Sequence, residues 1–318
     1  MALSFALERC GLDLDAVTRL LKESIDSSAE VRDVTLVLRG VQTNVIEIEL
    51  EAGDRYVLKL RPEEAKCAFA NEAYQLRTLQ QKAPFPVPRV FSHGPFEGHD
   101  FLLFEKLPGM DLRRARTAQG RREREQLERD WGRLLGKLHQ SSTGPRFGEV
   151  LPGKPPGCRS WPELYSRLWQ HRIERLLRSD RLPGPVLDAV SWVHSSLPRL
   201  LSADDVPRLI HGNLDPSRVL CEPTGEEDFG WRISGVTDPN LAYGSHELDL
   251  AMLELHRGLD ESFLDGYRSE MPIDDGYELR KQVYILYANL EKVRTHGSAH
   301  HVLGAMDILE RLLRQANG

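Results

Sequence analysis

A lysine at 59, a glutamate at 72, a polar run from His211 to Arg218 and an aspartate at 238 follow one another along this 318-residue chain. Lys59 lies in YVLKL (56–60), on the face of Val57 and opposite Tyr56, Leu58 and Leu60. Glu72 interrupts an apolar helical stripe of Phe69, Leu76 and Leu79. A carboxylate there is costly unless paired, and Lys59 is the partner that the order suggests. Further on come His211-Gly212-Asn213-Leu214-Asp215-Pro216-Ser217-Arg218, then Thr237-Asp238-Pro239, then Glu247-Leu248-Asp249. A strand lysine for nucleotide phosphates, a helix glutamate to orient it, a polar loop and a late aspartate for a metal are the parts of kinase-type phosphoryl transfer. Asp-Pro also suits an ordinary turn, and the metal role of Asp238 rests on its place in the ordered set. Arg39-Gly40-Val41-Gln42-Thr43-Asn44 adds a glycine between two strands, where backbone amides can approach an anion.

These residues need a scaffold, and the hydrophobic periodicity supplies one. Residues 34–39, 45–50 and 56–60 read as strands, with EAGD (51–54) as a turn, so an antiparallel meander is expected. A helix is expected from about Glu63 to Gln80, then strand, clearest in FLLFEKL (101–107). After Pro108 the spacing turns helical: Leu127, Trp131, Leu134 and Leu138; Trp161, Leu164, Tyr165, Leu168 and Trp169; Val186, Val190, Val193 and Leu197; and two stretches within 277–313. A non-helical island at about 205–244 holds the polar loop and Asp238. The expectation is an α+β chain, with a β-rich N-lobe at 1–108 and a larger helical C-lobe at 109–318.

Composition narrows the function classes. Lys plus Arg is 42 against 48 Asp plus Glu, a net charge of −6, so nucleic acid is not the expected partner. No apolar run is long enough for a membrane helix, and the N-terminus lacks a basic leader, so neither membrane nor secretion is expected. Cys10, Cys67, Cys158 and Cys221 are widely spaced, which suits reduced thiols in a cytoplasmic protein. GEVLPGKP (148–155) nearly matches a phosphate loop, but Pro155 offers neither hydroxyl nor N–H. His296, His300 and His301 have helical spacing without an acidic or cysteine partner nearby.

With these residues in hand, the chain resembles the aminoglycoside phosphotransferase and choline kinase superfamily, and within it the fructosamine kinase (ketosamine 3-kinase) family. The resemblance runs from about Arg39 to Leu313. It rests on YVLKL, NEAYQLRTL, VPRVFSHG, FLLFEKLPG, SWPELYSRLWQHRI, TDPNLAYGSHELDLAML and GYELRKQVYILYANLEKV in order. It implies a bilobal protein-kinase-like fold holding ATP between lobes, a small-molecule acceptor such as a ketosamine or amino sugar, and magnesium. By position, Lys59 resembles the phosphate lysine, Glu72 its partner, and Phe104, Glu105 and Lys106 the hinge beside adenine. Gly40 and Asn44 border the strand–turn–strand over the phosphates, Asp238 resembles the metal aspartate, and Asp249 resembles a brace for the catalytic loop.

The loop itself departs from the family pattern. Where the family reads HGDLWxGN, this chain reads HGNLDPSR. Asn213 stands for the catalytic aspartate, Asp215 for an aromatic and Arg218 for the metal-binding asparagine. An amide cannot take a proton from a hydroxyl, and a guanidinium has no lone pair for magnesium. Arg218 could instead face phosphate. Asp215 could act as a substitute base or pair with Arg218 at i,i+3. Three readings stay open: an ATP-dependent ketosamine-type kinase, an impaired pseudokinase that binds nucleotide or ligand, and an aminoglycoside- or choline-kinase-type enzyme.

Overall fold

In a computed structural model of the chain, the described residues are 7, 8, 10–39, 43–62, 69–178, 182–201, 206–225, 230–256, 259–297 and 299–317. Their elements run α1 (Leu14–Ser24), β1 (Val31–Arg39), β2 (Asn44–Leu50), β3 (Arg55–Pro62), α2 (Phe69–Lys82), β4 (Val90–Phe96), β5 (His99–Glu105), β6 (Met110–Asp111) and α3 (Leu112–Ala118). There follow α4 (Arg121–Ser141), β7 (Gly148–Glu149), α5 (Trp161–Leu177), α6 (Gly184–Leu200), β8 (Arg208–Ile210), a 3-10 turn at Pro216–Arg218, β9 (Val219–Pro223), β10 (Trp231–Val236) and β11 (Ala242–Gly244). The chain ends in α7 (Glu247–Leu255), α8 (Glu261–Arg268), α9 (Tyr277–His296) and α10 (Ala299–Asn317).

The chain divides into two compact units. The first comprises residues 1–119, 151–153 and 217–239; the second comprises 120–150, 154–216 and 240–318. The first unit therefore takes in the segment that carries Arg218 and Asp238.

In the first unit a five-stranded antiparallel sheet has the order β1-β2-β3-β5-β4. The expected meander is present, with Val45 opposite Lys59 and Ile46 opposite Leu58. Strand alternation gives the sheet two unlike faces. Tyr56, Leu58, Leu60, Phe101 and Leu103 pack with Ile46, Ile48 and the α1 residues Val17, Leu20 and Leu21 in one apolar core. The other face carries Val57 and Lys59, opposite Phe104 and Leu102. α1 is started by Asp13, whose side chain accepts the Ala16 N–H at 2.7 Å. The helix expected from Glu63 is seen from Phe69, residues 63–68 lying outside those described. β5 ends at Glu105 rather than at 107, because Tyr56–Glu105 is its terminal pair with β3. A second sheet, β10-β9-β6, leads the chain to Asp238. Gly109 is required beside it: its φ is +97°, and a Cβ would strike the Cys221 carbonyl.

The second unit is helical apart from a small sheet, β7-β11-β8. Its core joins α5, α6, α9 and α10 through Trp161, Tyr165, Trp169, Val190, Val193, Leu197, Tyr284, Leu290 and Leu309. Trp161, Tyr165 and Trp169 recur every four residues and line one stripe of α5. Trp161 Nε1 donates to Tyr284 Oη at 3.0 Å, and Tyr165 meets the Tyr284 ring edge-on at 5.3 Å between centroids. Trp161 and Trp169 are therefore core. Among the described residues no helix is long and apolar enough to cross a membrane. Cys10, Cys158 and Cys221 are buried, and Cys67 lies outside the described residues.

One histidine in this unit makes stability depend on pH. His246 is buried against Tyr267, and neither ring nitrogen has a hydrogen-bond partner among the described residues. Burial, with His139 and Arg208 nearby, lowers its pKa to about 3. The unfolded chain binds a proton here below about pH 6.5, whereas the folded chain stays neutral. The stability from this group is full above pH 6.5 and falls by about 1.4 kcal/mol per pH unit below it. Urea unfolding at pH 7 and pH 5 is expected to show about 2 kcal/mol of acid-sensitive stability that His246→Phe removes.

Candidate active site

The Lys59 ammonium lies 2.6 Å from Glu72 Oε1 and forms a second ion pair with Asp238 Oδ1. The three come from β3, from the first turn of α2, and from the residues just after β10. Glu72 shares its helix stripe with buried Phe69, Leu76 and Leu79, so packing of that stripe brings the carboxylate to the strand. Side-chain exposure is 12% for Lys59, 21% for Glu72 and 39% for Asp238, so only the aspartate keeps a sizeable open face. Burial pulls the lysine toward neutrality, but Asp238 and Glu72 outweigh it and hold its pKa above the ordinary lysine value. Burial acts on Glu72 in the other sense: its pKa is raised, with Lys59 offsetting part of the rise. Lys59 also stands 5.5 Å from the centroid of the Phe104 ring.

Asp238 has φ +55°, left-handed backbone that few side chains adopt, and Pro239 narrows its choices further. Such a conformation costs on the order of 1–3 kcal/mol and persists only when its surroundings enforce it. Here Val236 N–H donates to Pro86 O at 3.0 Å and Thr237 N–H donates to Arg218 O at 3.0 Å, so both preceding residues are pinned. The same bond fixes the backbone of Arg218 at the end of the 3-10 turn.

The segment His211–Asp215 is held by a buried carboxylate. Asp249, in the first turn of α7 and fully buried, accepts His211 N–H at 2.7 Å and Gly212 N–H at 2.8 Å. His139 Nε2 stands 3.2 Å from Asp249 Oδ2, and its Nδ1 stands 2.8 Å from Tyr267 Oη. Gly212 has φ +72°, and a Cβ there would strike the Asn240 carbonyl. The loop is thus fixed at His211 and Gly212, immediately before half-buried Asn213. Asp215 Oδ2 is 3.2 Å from His256 Nδ1, so its observed partner is this histidine rather than the Arg218 that i,i+3 spacing suggests.

The remaining sequence candidates are spread along the first unit. Glu105 ends β5 and its carboxylate accepts Arg89 N–H at 3.2 Å. Lys106 N–H donates to Arg55 O at 3.0 Å, and its ammonium pairs with Glu47. Asn44 opens β2 opposite Leu60. Gly40 lies outside the described residues. His139, Tyr267 and His256 were not among the residues singled out from sequence. His139 lies in LLGKLHQ, where its place on the apolar α4 stripe after Leu135 and Leu138 is the signal that it needs a buried partner.

Among the described residues no three His, Cys, Asp or Glu side chains are grouped to hold a metal on their own. A divalent metal in phosphoryl transfer needs only one or two carboxylates, the phosphates supplying further oxygens. Asp238, with its open face, fits that lesser demand; Arg218 does not.

The fold is that of kinase-like phosphotransferases. A Thermobifida fusca crystal structure, assigned by name to fructosamine-3-kinase, superposes with a TM-score of 0.74 at 24% identity, over 95% of this chain and 99% of its own. Aminoglycoside phosphotransferase APH(4)-Ia, in a ternary complex with ADP and hygromycin B, superposes at 0.67 and 17% identity, over 95% of this chain and 99% of its own. The fructosamine kinase family profile matches residues 14–315, and the chain belongs to that family. Similar relatives include the Escherichia coli K12 protein named Probable ketoamine kinase YniA, 29% identical over 94% of this chain and 98% of its own. A Synechocystis protein named Probable ketoamine kinase slr1563 is 28% identical over 83% and 85%.

The Asp249 brace makes a measurable prediction. In Asp249→Asn one oxygen and one NH2 group face two backbone N–H donors, so at least one donor loses its acceptor. Such a buried loss costs about 1–3 kcal/mol. Urea unfolding of Asp249→Asn at pH 7 is expected to show a drop of that size.

Proposed function

We propose that this protein is an ATP-dependent small-molecule kinase that phosphorylates a hydroxyl of a ketosamine or related amino sugar. The observation that carries the reading is the ion triad of Lys59, Glu72 and Asp238, set in a chain of the fructosamine kinase family. Glu72 holds the lysine as a fixed cation for the nucleotide phosphates. Asp238 would hold a divalent metal, magnesium in this proposal, which when bound neutralises charge on the phosphates. Phe104, Glu105 and Lys106 would border the adenine, and Gly40 with Asn44 the phosphates. Arg218 carries a permanent positive charge, and its carbonyl accepts the N–H of Thr237, the residue before Asp238; its side chain would face phosphate rather than metal. Asn213 can position the acceptor hydroxyl by hydrogen bonding but cannot remove its proton. The cytoplasm is the compartment proposed, in keeping with four widely spaced cysteines, Cys10, Cys67, Cys158 and Cys221.

Asn213 and Arg218 favour a second reading, a pseudokinase that retains nucleotide binding without transfer. Incubation with ATP, magnesium and a fructosamine panel separates the two. The kinase reading expects ADP and a phosphorylated product in equal amounts. ATP-induced thermal stabilisation without product supports the pseudokinase.

Lys59→Met should abolish the ATP-induced stabilisation, which at a hundredfold excess over Kd amounts to about 2.7 kcal/mol. If ATP stabilises Lys59→Met as well as it does the parent, the phosphate role of the triad is wrong. Asp238→Asn should leave the stabilisation by ATP in EDTA nearly intact and remove the extra shift produced by magnesium.

A further inference from the structure

Where β3 begins and β5 ends, the first unit holds a cavity of about 460 Å³, all of whose lining residues fall within 53–109. Strand alternation sets it apart from the ion triad. Tyr56 and Glu105 face each other one position along from the pair Val57 and Phe104, so their side chains leave the sheet on the side away from Lys59. Lys106 also borders the cavity, but its ammonium goes to Glu47, the residue opposite Val57. Hydrogen bonds fix the walls. Glu105 N–H donates to Arg89 O at 2.8 Å, and Arg89 N–H donates to the Glu105 carboxylate at 3.2 Å. Lys106 N–H donates to Arg55 O at 3.0 Å, and Ser234 Oγ donates to Pro108 O at 2.6 Å.

The cavity presents an aromatic floor together with unmatched charges of both signs. Tyr56 and Phe91 meet edge-on at 5.2 Å between centroids, and the Arg89 guanidinium stands 5.1 Å from the Phe91 centroid. Arg55 is paired with Glu49 and Lys106 with Glu47. Among the described residues neither the Arg89 guanidinium nor the Asp54 carboxylate has such a partner, and both are exposed at the rim. Both charges reach the Tyr56 phenol: burial is the first cause of its raised pKa, Asp54 and Glu105 add to the rise, and Arg89 opposes it. A purely anionic guest would meet Asp54 and Glu105 unfavourably, and a purely cationic one would meet Arg89. A zwitterion answers both, with a carboxylate on the guanidinium and an ammonium on the carboxylates. An apolar side chain then suits the aromatic floor.

We propose that this cavity is a binding site for a free α-amino acid with an apolar side chain. Arg89 holds the α-carboxylate, Asp54 with Glu105 holds the α-ammonium, and the side chain lies on Tyr56 and Phe91. Because the cavity opens on the side of the sheet away from Lys59, its occupant binds alongside nucleotide rather than in its place.

The test is a titration of the full-length protein with L-phenylalanine, followed by the line widths of the ligand's aromatic proton signals. Phenylalanine is expected to bind about tenfold more tightly than 3-phenylpropanoate, which lacks the ammonium, and than phenethylamine, which lacks the carboxylate. Arg89→Gln should weaken phenylalanine by about tenfold and leave phenethylamine no weaker. Asp54→Asn should weaken phenylalanine by about threefold, since Glu105 shares that contact, and leave 3-phenylpropanoate no weaker. A merely structural effect of either substitution would weaken every ligand alike. Lys59→Met should bind phenylalanine as the parent does, and ATP should not displace it. The proposal is overturned if phenylalanine does not bind at millimolar concentration, or if either singly charged analogue binds as tightly. It is also overturned if the two variants do not discriminate among the three ligands, or if ATP displaces phenylalanine.

Discussion

A largely buried ammonium must be neutralised, and Lys59 meets that demand with two carboxylates from distant parts of the chain. Desolvation alone would push the lysine toward its neutral form; Glu72 and Asp238 together reverse this. The requirement reaches well beyond the contact. Lys59 must stand on the face of β3 opposite the apolar core, so the register of β2, β3 and β5 has to be right to the residue. Glu72 must sit one turn into α2, with its apolar neighbours packed. Asp238 must leave β10 in a left-handed conformation that its neighbours enforce. A one-residue slip in β3 would exchange Lys59 for Leu58 or Leu60, bury a lysine in the apolar core and strand both carboxylates.

The second unit is organised around a buried charge of the opposite sign. Asp249 spends its oxygens on two loop amides and His139, and His139 in turn meets Tyr267. Tyr267 belongs to α8, which packs closely enough on α4 that a Cβ on Gly132 would strike the Phe263 carbonyl. Loop geometry is therefore tied to helix packing. The phenol of Tyr267 is held well above its usual pKa by burial, with the Asp249 charge adding to it, so it remains protonated and able to donate.

Much of the first unit was legible because its signals are local. Alternation in 45–50 and 56–60 defines both faces of the sheet, and a glutamate on an apolar helical stripe announces a partner. The order of Lys59, Glu72 and Asp238 then suggested the Lys59–Glu72 pair and a separate metal role for Asp238; the ion pair of Asp238 with Lys59 shows only in the structure. What the sequence hid depends on long-range packing. His139 reads as one more residue on an amphipathic helix until Asp249 and Tyr267 close around it. His256 reads as the end of α7, since nothing in Leu255-His256-Arg257 records that Asp215 lies opposite. The i,i+3 rule suggested Arg218 for that aspartate, but the rule assumes a continuing helix. The turn is only three residues long and begins after Asp215, so its geometry does not apply.

The altered loop is better described as a redistribution of charge than as a simple loss. Compared with the family pattern HGDLWxGN, HGNLDPSR removes one carboxylate at 213, restores one at 215 and adds a cation at 218. Chance decay would not require the new carboxylate to find a partner, yet a partly buried aspartate without one is costly. Asp215 finds His256, whose Nδ1 lies 3.2 Å from its Oδ2. Arg218, fixed through its carbonyl to the residue before Asp238, carries a permanent positive charge at the sequence position where the family pattern has an asparagine. The Coulombic part of a metal's work can be shared with such a cation, because phosphoryl transfer depends mainly on positioning and charge.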